Sequence, residues 1–429
     1  MSSRNLLESL RRTAMSALVC GAAILLLDFA NFAAAQSTQA FESPPILKAQ
    51  QLAPASLLSG SRFHVDDDVP TDGLTANYTI HTDLGTLQAH GLEMLKIRVA
   101  EVPAMEELQD TSKTKVFAES VATNAARPVM AAGQMIMNPV DTIKGLPGGV
   151  SRFFGRVGLG AQKIAQAATE PEEASAVEKS AQVGTSVGQT TRDVFGYEQE
   201  RRELAKRLHV DPYTTNPILS KQLDDIALTA FRAHVGVTTT MSVFIPGSIA
   251  ITATRIVSTW VWDTPKADLI VMNHDKLEGL GIPEHSVNGF MRNSAYPLSV
   301  QTAFVENLTH VRSVPGVADV VALASTAESE DQARFLADAL DMLVNYHETQ
   351  TPLTRIYAKG TIFGRDRAGV LIVPVEVDYV VWTQRTSYFA HRPDLAAPKR
   401  SVWLSGRMSP LAKRNFESLG WKINENTQL

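Results

Sequence analysis

One serine stands in the pattern that many hydrolases use to present a nucleophile. Residues 184–188 read Gly-Thr-Ser-Val-Gly, which satisfies G-x-S-x-G with Ser186 at its centre. That chemistry needs the serine on a sharp turn after a buried strand, with an acid and a histidine later in the chain. Residues 174–182 are polar and helix-forming instead. A serine-type hydrolase is therefore the alternative hypothesis, with the histidines from His209 to His391 as the partners to test.

Histidines lie beside carboxylates at several places, but none has the spacing of a metal motif. His64 precedes the acidic run of residues 66–68, and Pro70 and Gly73 after it favour a solvated turn. The other neighbours, which we interpret as caps, turns or surface histidines, are His209 with Asp211, His274 with Asp275, Glu284 with His285, and His347 with Glu348. No phosphate-loop pattern occurs. The sequence predicts no metal site and no cofactor.

The segment from Asn138 to Thr169 combines apolar residues at helical spacing with positive charge, and no acid follows Asp141 within it. Such a pattern suits the headgroup layer of an anionic membrane. The glycines of this segment suit close packing against a neighbouring helix equally well, so both alternatives stay open. The residues that we predict to contact a membrane or a partner are Lys144, Arg152, Phe153, Phe154, Arg156 and Lys163.

The first residues have the layout of a secretory signal peptide. Arg4, Arg11 and Arg12 precede an apolar core from Ala14 to Leu27, and small residues at 33–35 fit a cleavage site. An uncleaved anchor is the alternative, although Asp28 and Asn31 would be costly in hydrocarbon. The single cysteine, Cys20, lies in this leader, so the mature chain would carry no disulfide. We expect an exported protein in the periplasm or cell envelope, peripheral to the membrane.

Composition excludes few functions but disfavours nucleic-acid binding. The chain has 429 residues, of which 44% are hydrophobic and 20% charged, and its formal net charge is −5. Nucleic-acid binding usually calls for a clustered basic excess, so we expect no nucleic-acid partner. The expected partners are an anionic membrane surface or an envelope protein. Nothing in the sequence indicates an oligomeric state.

Changes in composition divide the chain into six parts. They are a signal peptide at 1–35, a flexible tether at 36–59, a hairpin with helices and the basic segment at 60–168, an acidic linker at 169–189, a helical domain at 190–350, and a mixed region at 351–429. Residues 235–262 form an apolar run that Arg255 interrupts, which favours a buried helix over a membrane span.

The elements predict an α+β fold with a predominantly helical body, a small N-terminal hairpin and a mixed strand-helix-strand C-terminal region. Residues 77–82 and 86–90 alternate around a turn, as a hairpin requires. Residues 355–362 and 370–375 predict a second hairpin with a charged loop between them. Ser409 and Pro410 then predict the start of a helix that ends before Gly420. We expect a non-enzymatic envelope-associated interaction or scaffold protein, with a periplasmic serine-type hydrolase as the alternative.

Overall fold

A computed structural model describes residues 41–112, 196–233 and 255–427. The fold is α+β, as the sequence predicts, with thirteen helices in the described ranges and several separate sheets. The predicted leader, the basic segment, the acidic linker and Ser186 lie outside the described residues, as does most of the apolar run at 235–262. Within the described ranges, no helix combines the length and the apolar character that a bilayer crossing needs.

The N-terminal unit is a small antiparallel sheet with a long helix behind it. In chain order its elements are β1 (Ile46–Lys48), α1 (Ala49–Leu52), α2 (Ala55–Leu58), β2 (Phe63–Val65), β3 (Asp68–Pro70), β4 (Asn77–Thr82), β5 (Gly85–His90) and α3 (Leu92–Ser112). Strands β4 and β5 form the predicted hairpin, and β2 pairs with the outer side of β4. Alternate residues of β4, including Tyr78 and Ile80, are fully buried against α3 and its neighbours.

Two expectations for this unit need correction. The predicted tether is folded over residues 46–58, because Ala49 and Leu58 bury their side chains in the N-terminal core. The predicted turn at residues 66–73 contains strand β3, whose Val69 is fully buried and which pairs antiparallel with β1. Both elements are short, so their burial depends on contacts with each other and with the rest of the N-terminal core.

The central body is helical, as the sequence predicts. Its helices are α4 (196–207), α5 (Pro217–Ala233), α6 (Arg255–Asp263), α7 (Lys266–Gly279), α8 (Glu284–Met291), α9 (Leu298–His310), α10 (Val317–Ala324) and α11 (Glu330–Thr349). Helix α11 shows why these residues form helices. The Ser329 hydroxyl accepts the Gln332 amide at the N-terminus, and the apolar face from Ala333 through Leu340 to Leu343 is buried in the core.

The C-terminal region is a five-stranded mixed sheet in the order β12-β10-β8-β7-β6. Its elements are β6 (Leu353–Ala358), β7 (Ile362–Asp366), β8 (Leu371–Val375), β9 (Tyr379–Val380), α12 (Gln384–Ala390), β10 (Arg400–Leu404), β11 (Arg407–Met408), α13 (Pro410–Ser418) and β12 (Trp421–Asn424). The run that we predicted as one strand, residues 355–362, breaks at Gly360, where φ is +67°. Strands β8, β10 and β12 run parallel to one another. Parallel pairing was not predicted.

The loop before α10 approaches the backbone of β6 closely. The Ile356 amide donates to the Pro315 carbonyl at 2.9 Å, and a Cβ built on Gly316 would lie 1.9 Å from the Ile356 oxygen. Gly316 also has φ +111°, a conformation that L side chains rarely adopt. Position 316 therefore requires glycine for both the backbone angle and the available space.

A pair of glycine substitutions separates these two requirements. Gly369 has φ +78° but nothing within 4 Å of a built Cβ, so Gly369→Ala should cost about 1–2 kcal/mol of backbone strain. Gly316→Ala adds steric overlap and should lower the free energy of unfolding by about 3 kcal/mol or more. Urea denaturation of both variants measures the difference. Equal losses would contradict the close approach of residue 316 to β6.

Candidate functional site

A cleft of about 400 Å³ lies at the carboxyl ends of the three parallel strands. Glu376, Val377 and Asp378 follow β8, Ser405, Gly406 and Arg407 follow β10, and Asn426 and Thr427 lie just beyond β12; all of these residues line the cleft. Leu52, Leu92, Glu93 and Lys96 of the N-terminal unit form the facing wall. In open α/β sheets, ligands bind at this edge, because the loops that follow parallel strands converge there.

Two close contacts hold together the loops that follow β8 and β10. The Ser405 hydroxyl donates to the Val377 carbonyl and accepts the Val377 amide, both at 2.8 Å. A Cβ built on Gly406 would lie 2.1 Å from the backbone carbonyl oxygen of Asp378, so only glycine allows this approach of the two loops. The cleft floor is therefore a tight backbone contact between the residues that follow β8 and those that follow β10.

Asp378 joins the sheet to the N-terminal unit. Its buried carboxylate accepts the Ala76 amide at 2.7 Å and the Leu92 amide at 2.9 Å. Because Leu92 is the first residue of α3, this carboxylate caps the helix from a distant part of the chain. Burial raises the pKa of Asp378 to about 6, against the two amides, which lower it. The role of Asp378 is structural.

Glu376 is the carboxylate of the cleft that the fold does not use. Its side chain is half-buried, lines the cleft, and accepts no hydrogen bond from the described residues. Burial raises its pKa well above the usual range, and the nearby carboxylates of Asp338, Asp378 and Glu93 raise it further. A half-buried carboxyl with a strongly raised pKa in a cleft is typical of functional sites.

Other polar groups surround Glu376. Asp338 of α11 is repelled by neighbouring carboxylates, and chiefly burial raises its pKa to about 7. The hydroxyl of fully buried Tyr78 has no hydrogen-bond partner among the described residues, and Asp378 and Glu376 add to the effect of burial in raising its pKa. The region is thus rich in acidic groups that are costly to ionise together.

The two cations of the cleft are already engaged. Lys96 pairs with Glu93 on the same helix at 2.5 Å, and Arg407 donates to the Gln51 carbonyl. Three carboxylates and two cations line the cleft, counted as Glu93, Glu376 and Asp378 against Lys96 and Arg407. Glu376 therefore has neither a backbone amide nor an ion pair among the described residues, and the nearby Lys96 only partly offsets the rise in its pKa.

None of the sequence-predicted candidates that fall within the described ranges lines this cleft. Lys144, Arg152, Phe153, Phe154, Arg156, Lys163 and Ser186 all lie outside the described residues. Asp211 is buried and accepts the Tyr213 amide at 2.8 Å, which confirms the turn interpretation of that stretch. His285 is exposed, as predicted. His274 was predicted to be a cap or surface residue, which is wrong: it lies inside α7 and is 3% exposed.

A hydroxyl, an imidazole and a carboxylate do meet on the N-terminal sheet. Thr86 Oγ1 lies 3.5 Å from His81 Nδ1, and His81 Nε2 lies 3.0 Å from Asp66 Oδ1. The strand register explains the contact between Thr86 and His81, because Thr86 on β5 lies directly opposite His81. On the other side of β4, His64 of β2 is the opposed neighbour of His81. Thr86 is exposed on the sheet face, and none of these residues lines the described cleft. The geometry therefore indicates cross-strand pairing.

The pair Glu376 and Asp378 was missed at the sequence level. The available signal was a run of β-branched and apolar residues from Val370 to Val375 followed at once by Glu-Val-Asp, since acids that follow a buried strand face the edge of the sheet. We did not use this signal, because the predicted antiparallel hairpin gives no reason to expect a ligand site at the carboxyl end of β8. Comparison with protein-family models, with curated proteins and with solved structures finds no match to this chain.

The raised pKa of Asp338 should make stability fall as pH rises. Between its ordinary value of 3.8 and about 7, the folded protein holds a proton that the unfolded chain has released. Above pH 7 the folded protein bears the full cost of an ionised Asp338. Asp338→Asn should therefore raise the free energy of unfolding at pH 8 by about 2 kcal/mol. The gain should shrink steadily as the pH is lowered towards 4.

Urea denaturation across that pH range makes the measurement, and Asp319→Asn is the matched control because its carboxylate is exposed on α10. The control should show no comparable change with pH. A constant difference between Asp338→Asn and the wild type at every pH would show that the Asp338 carboxyl is ionised throughout.

Proposed function

We propose that this protein is an exported, non-enzymatic interaction protein of the cell envelope, and that its cleft binds a small polar ligand carrying an amine. The observation that supports the ligand is Glu376, a carboxylate without a hydrogen-bond donor among the described residues, in a cavity of about 400 Å³. Cavities of roughly 300–1,000 Å³ suit small molecules. The leader supports export, and the basic segment supports association with the envelope.

An amine is the ligand group that this cleft favours. An ammonium group over Glu376 would supply both the missing donor and the missing positive charge, and hydrogen bonds to charged groups are worth about 1.5–3 kcal/mol. Asn426, Thr427 and Ser405 offer further polar contacts around it. Leu52 and Leu92 offer an apolar surface for a short carbon chain. The ligand class that fits is therefore a small amine with a polar or apolar body.

Binding fits the cleft better than nucleophilic catalysis. Its serine, Ser405, uses its hydroxyl as both donor and acceptor towards Val377. Asp378 is committed to two backbone amides. No histidine is among the residues that line the described cleft, so a serine–histidine pair is not assembled there. The hydrolase with Ser186 remains the alternative proposal, supported by its sequence pattern.

Titration with small primary amines tests the ligand class. Each amine is paired with the alcohol of the same carbon skeleton, and binding is measured by isothermal titration calorimetry. Glu376→Gln should weaken amine binding roughly tenfold or more, since it removes one charge-assisted hydrogen bond. Because the pKa of Glu376 is raised, amine binding should release a proton and should tighten as the pH rises.

The matched control is Glu284→Gln, which removes the same charge at an exposed position of the helical body. It should leave amine binding unchanged. Amines that bind no better than their alcohols, or that bind Glu376→Gln as well as the wild type, would exclude Glu376 as the recognition group.

Vesicle flotation tests the envelope association separately. The mature chain should float with vesicles that contain anionic lipid and should remain behind with neutral vesicles. Replacing Arg152 and Arg156 should reduce flotation, because each basic residue near such a surface contributes about 1 kcal/mol. Phe153→Ala should reduce flotation further by removing apolar contact. Failure of the wild type to float with either kind of vesicle would exclude membrane contact and favour packing of this segment on protein.

A further inference from the structure

Helix α7 carries an imidazole and two carboxylates that meet near its C-terminal end. His274 and Glu278 are four residues apart, a spacing that places two side chains on the same face of a helix. Asp275 follows His274 directly. The helix is held against α9, where buried Asn273 donates to the Thr302 hydroxyl at 2.9 Å and Lys276 pairs with Glu306 at 2.7 Å. Asn273 and Lys276, which neighbour these side chains in sequence, thus anchor the helix to α9.

The donor atoms of the three side chains are close together. His274 Nδ1 lies 3.8 Å from Asp275 Oδ1 and 3.8 Å from Glu278 Oε2, and all three atoms lie within 4.8 Å of one another. The imidazole is 3% exposed, whereas the Asp275 and Glu278 side chains are 67% and 43% exposed. A buried imidazole nitrogen therefore lies beneath two carboxylates that face solvent.

We propose that His274, Asp275 and Glu278 form a binding site for a first-row divalent metal ion, with Zn²⁺ as the ion that fits best. Zn²⁺ takes imidazole nitrogen and carboxylate oxygen at about 2.0–2.2 Å, in a tetrahedral arrangement. Each donor atom must move roughly half an ångström towards the ion to reach that geometry, a change that exposed carboxylates can make. The fourth position faces solvent and is available to water.

Two properties distinguish this site from ordinary surface acids. Packing already orders the His274 ring, so little side-chain entropy is lost when the nitrogen binds an ion. The nitrogen donor also selects for Zn²⁺, Co²⁺ or Ni²⁺ over Ca²⁺ and Mg²⁺, which prefer all-oxygen sites. The competing account of the same geometry is ordinary polar contact between the imidazole and the two carboxylates. That account predicts no metal binding.

The test is calorimetric titration of Zn²⁺ into the full chain, purified without a polyhistidine tag. The wild type should bind with a dissociation constant in the micromolar range, and an excess of Mg²⁺ or Ca²⁺ should not compete. Glu278→Gln and Asp275→Asn each remove an exposed ligand and should weaken binding about tenfold or more. Binding should weaken on acidification, because a metal must displace the proton of the imidazole.

Asp268→Asn is the matched control, since it removes one negative charge from the exposed surface of the same helix. Its affinity for Zn²⁺ should equal that of the wild type. Absorption spectra of the Co²⁺-loaded protein provide a second readout, and the bands should be lost in His274→Ala whose folding is checked by circular dichroism. Absence of Zn²⁺ binding by the wild type, or equal affinity in Glu278→Gln and Asp268→Asn, would overturn the proposal.

Discussion

The carboxylate of Asp378 connects parts of the chain that are nearly three hundred residues apart, and the cleft depends on that connection. Its two oxygens accept amides that are 302 and 286 residues away in sequence. The neighbouring backbone adds further bonds, because the Leu74 carbonyl accepts the amides of Asp378 and Tyr379. Glu42 extends the same seam, since its carboxylate accepts the Trp382 amide and the Ser409 hydroxyl. Without these contacts, the sheet edge would face solvent and the cleft would lose one wall.

This connection has an electrostatic cost. Asp378, Glu376 and Asp338 all have raised pKa values, which means that folding places each of them where its charge is disfavoured. Two backbone amides donate to Asp378, so burying this carboxylate also stabilises the contact between the sheet and the N-terminal unit. Glu376 has no such compensation from the described residues. Groups that lower stability without a structural role are typical of sites that act on a ligand, and this contrast between adjacent carboxylates is the strongest argument for function in the cleft.

The sequence predicted the local elements well and the long-range contacts poorly. Helix α11 follows from the cap at Ser329 and the apolar face through Leu340, and α13 follows from Ser409 and Pro410, because those signals lie within one or two turns of the helix. The parallel pairing of β8, β10 and β12 has no local signal of comparable strength, since each strand is short and its partners are separated from it by a helix. The cleft could not be predicted for the same reason, because Glu93 and Glu376 meet only through the fold.

A buried polar network between α3 and the helical body explains how the walls of the cleft keep their positions. Helix α3 supplies Glu93 and Lys96 to the cleft and, slightly further along, Arg98 and Glu101 to this network. Glu101 is fully buried and is satisfied by Arg98 at 3.0 Å, by the Asn216 amide group at 2.9 Å and by the Thr214 hydroxyl.

The network continues from Arg98 through the Thr215 hydroxyl to Glu330, at the start of α11, the helix that carries Asp338. Removing Arg98 would leave the fully buried Glu101 carboxylate without its cationic partner, which is strongly destabilising. The helices that carry Glu93 and Asp338 are therefore held in register by a network that disfavours sliding. The proposed amine would then meet carboxylates that are already in place, and little of its binding free energy would be lost to ordering the protein.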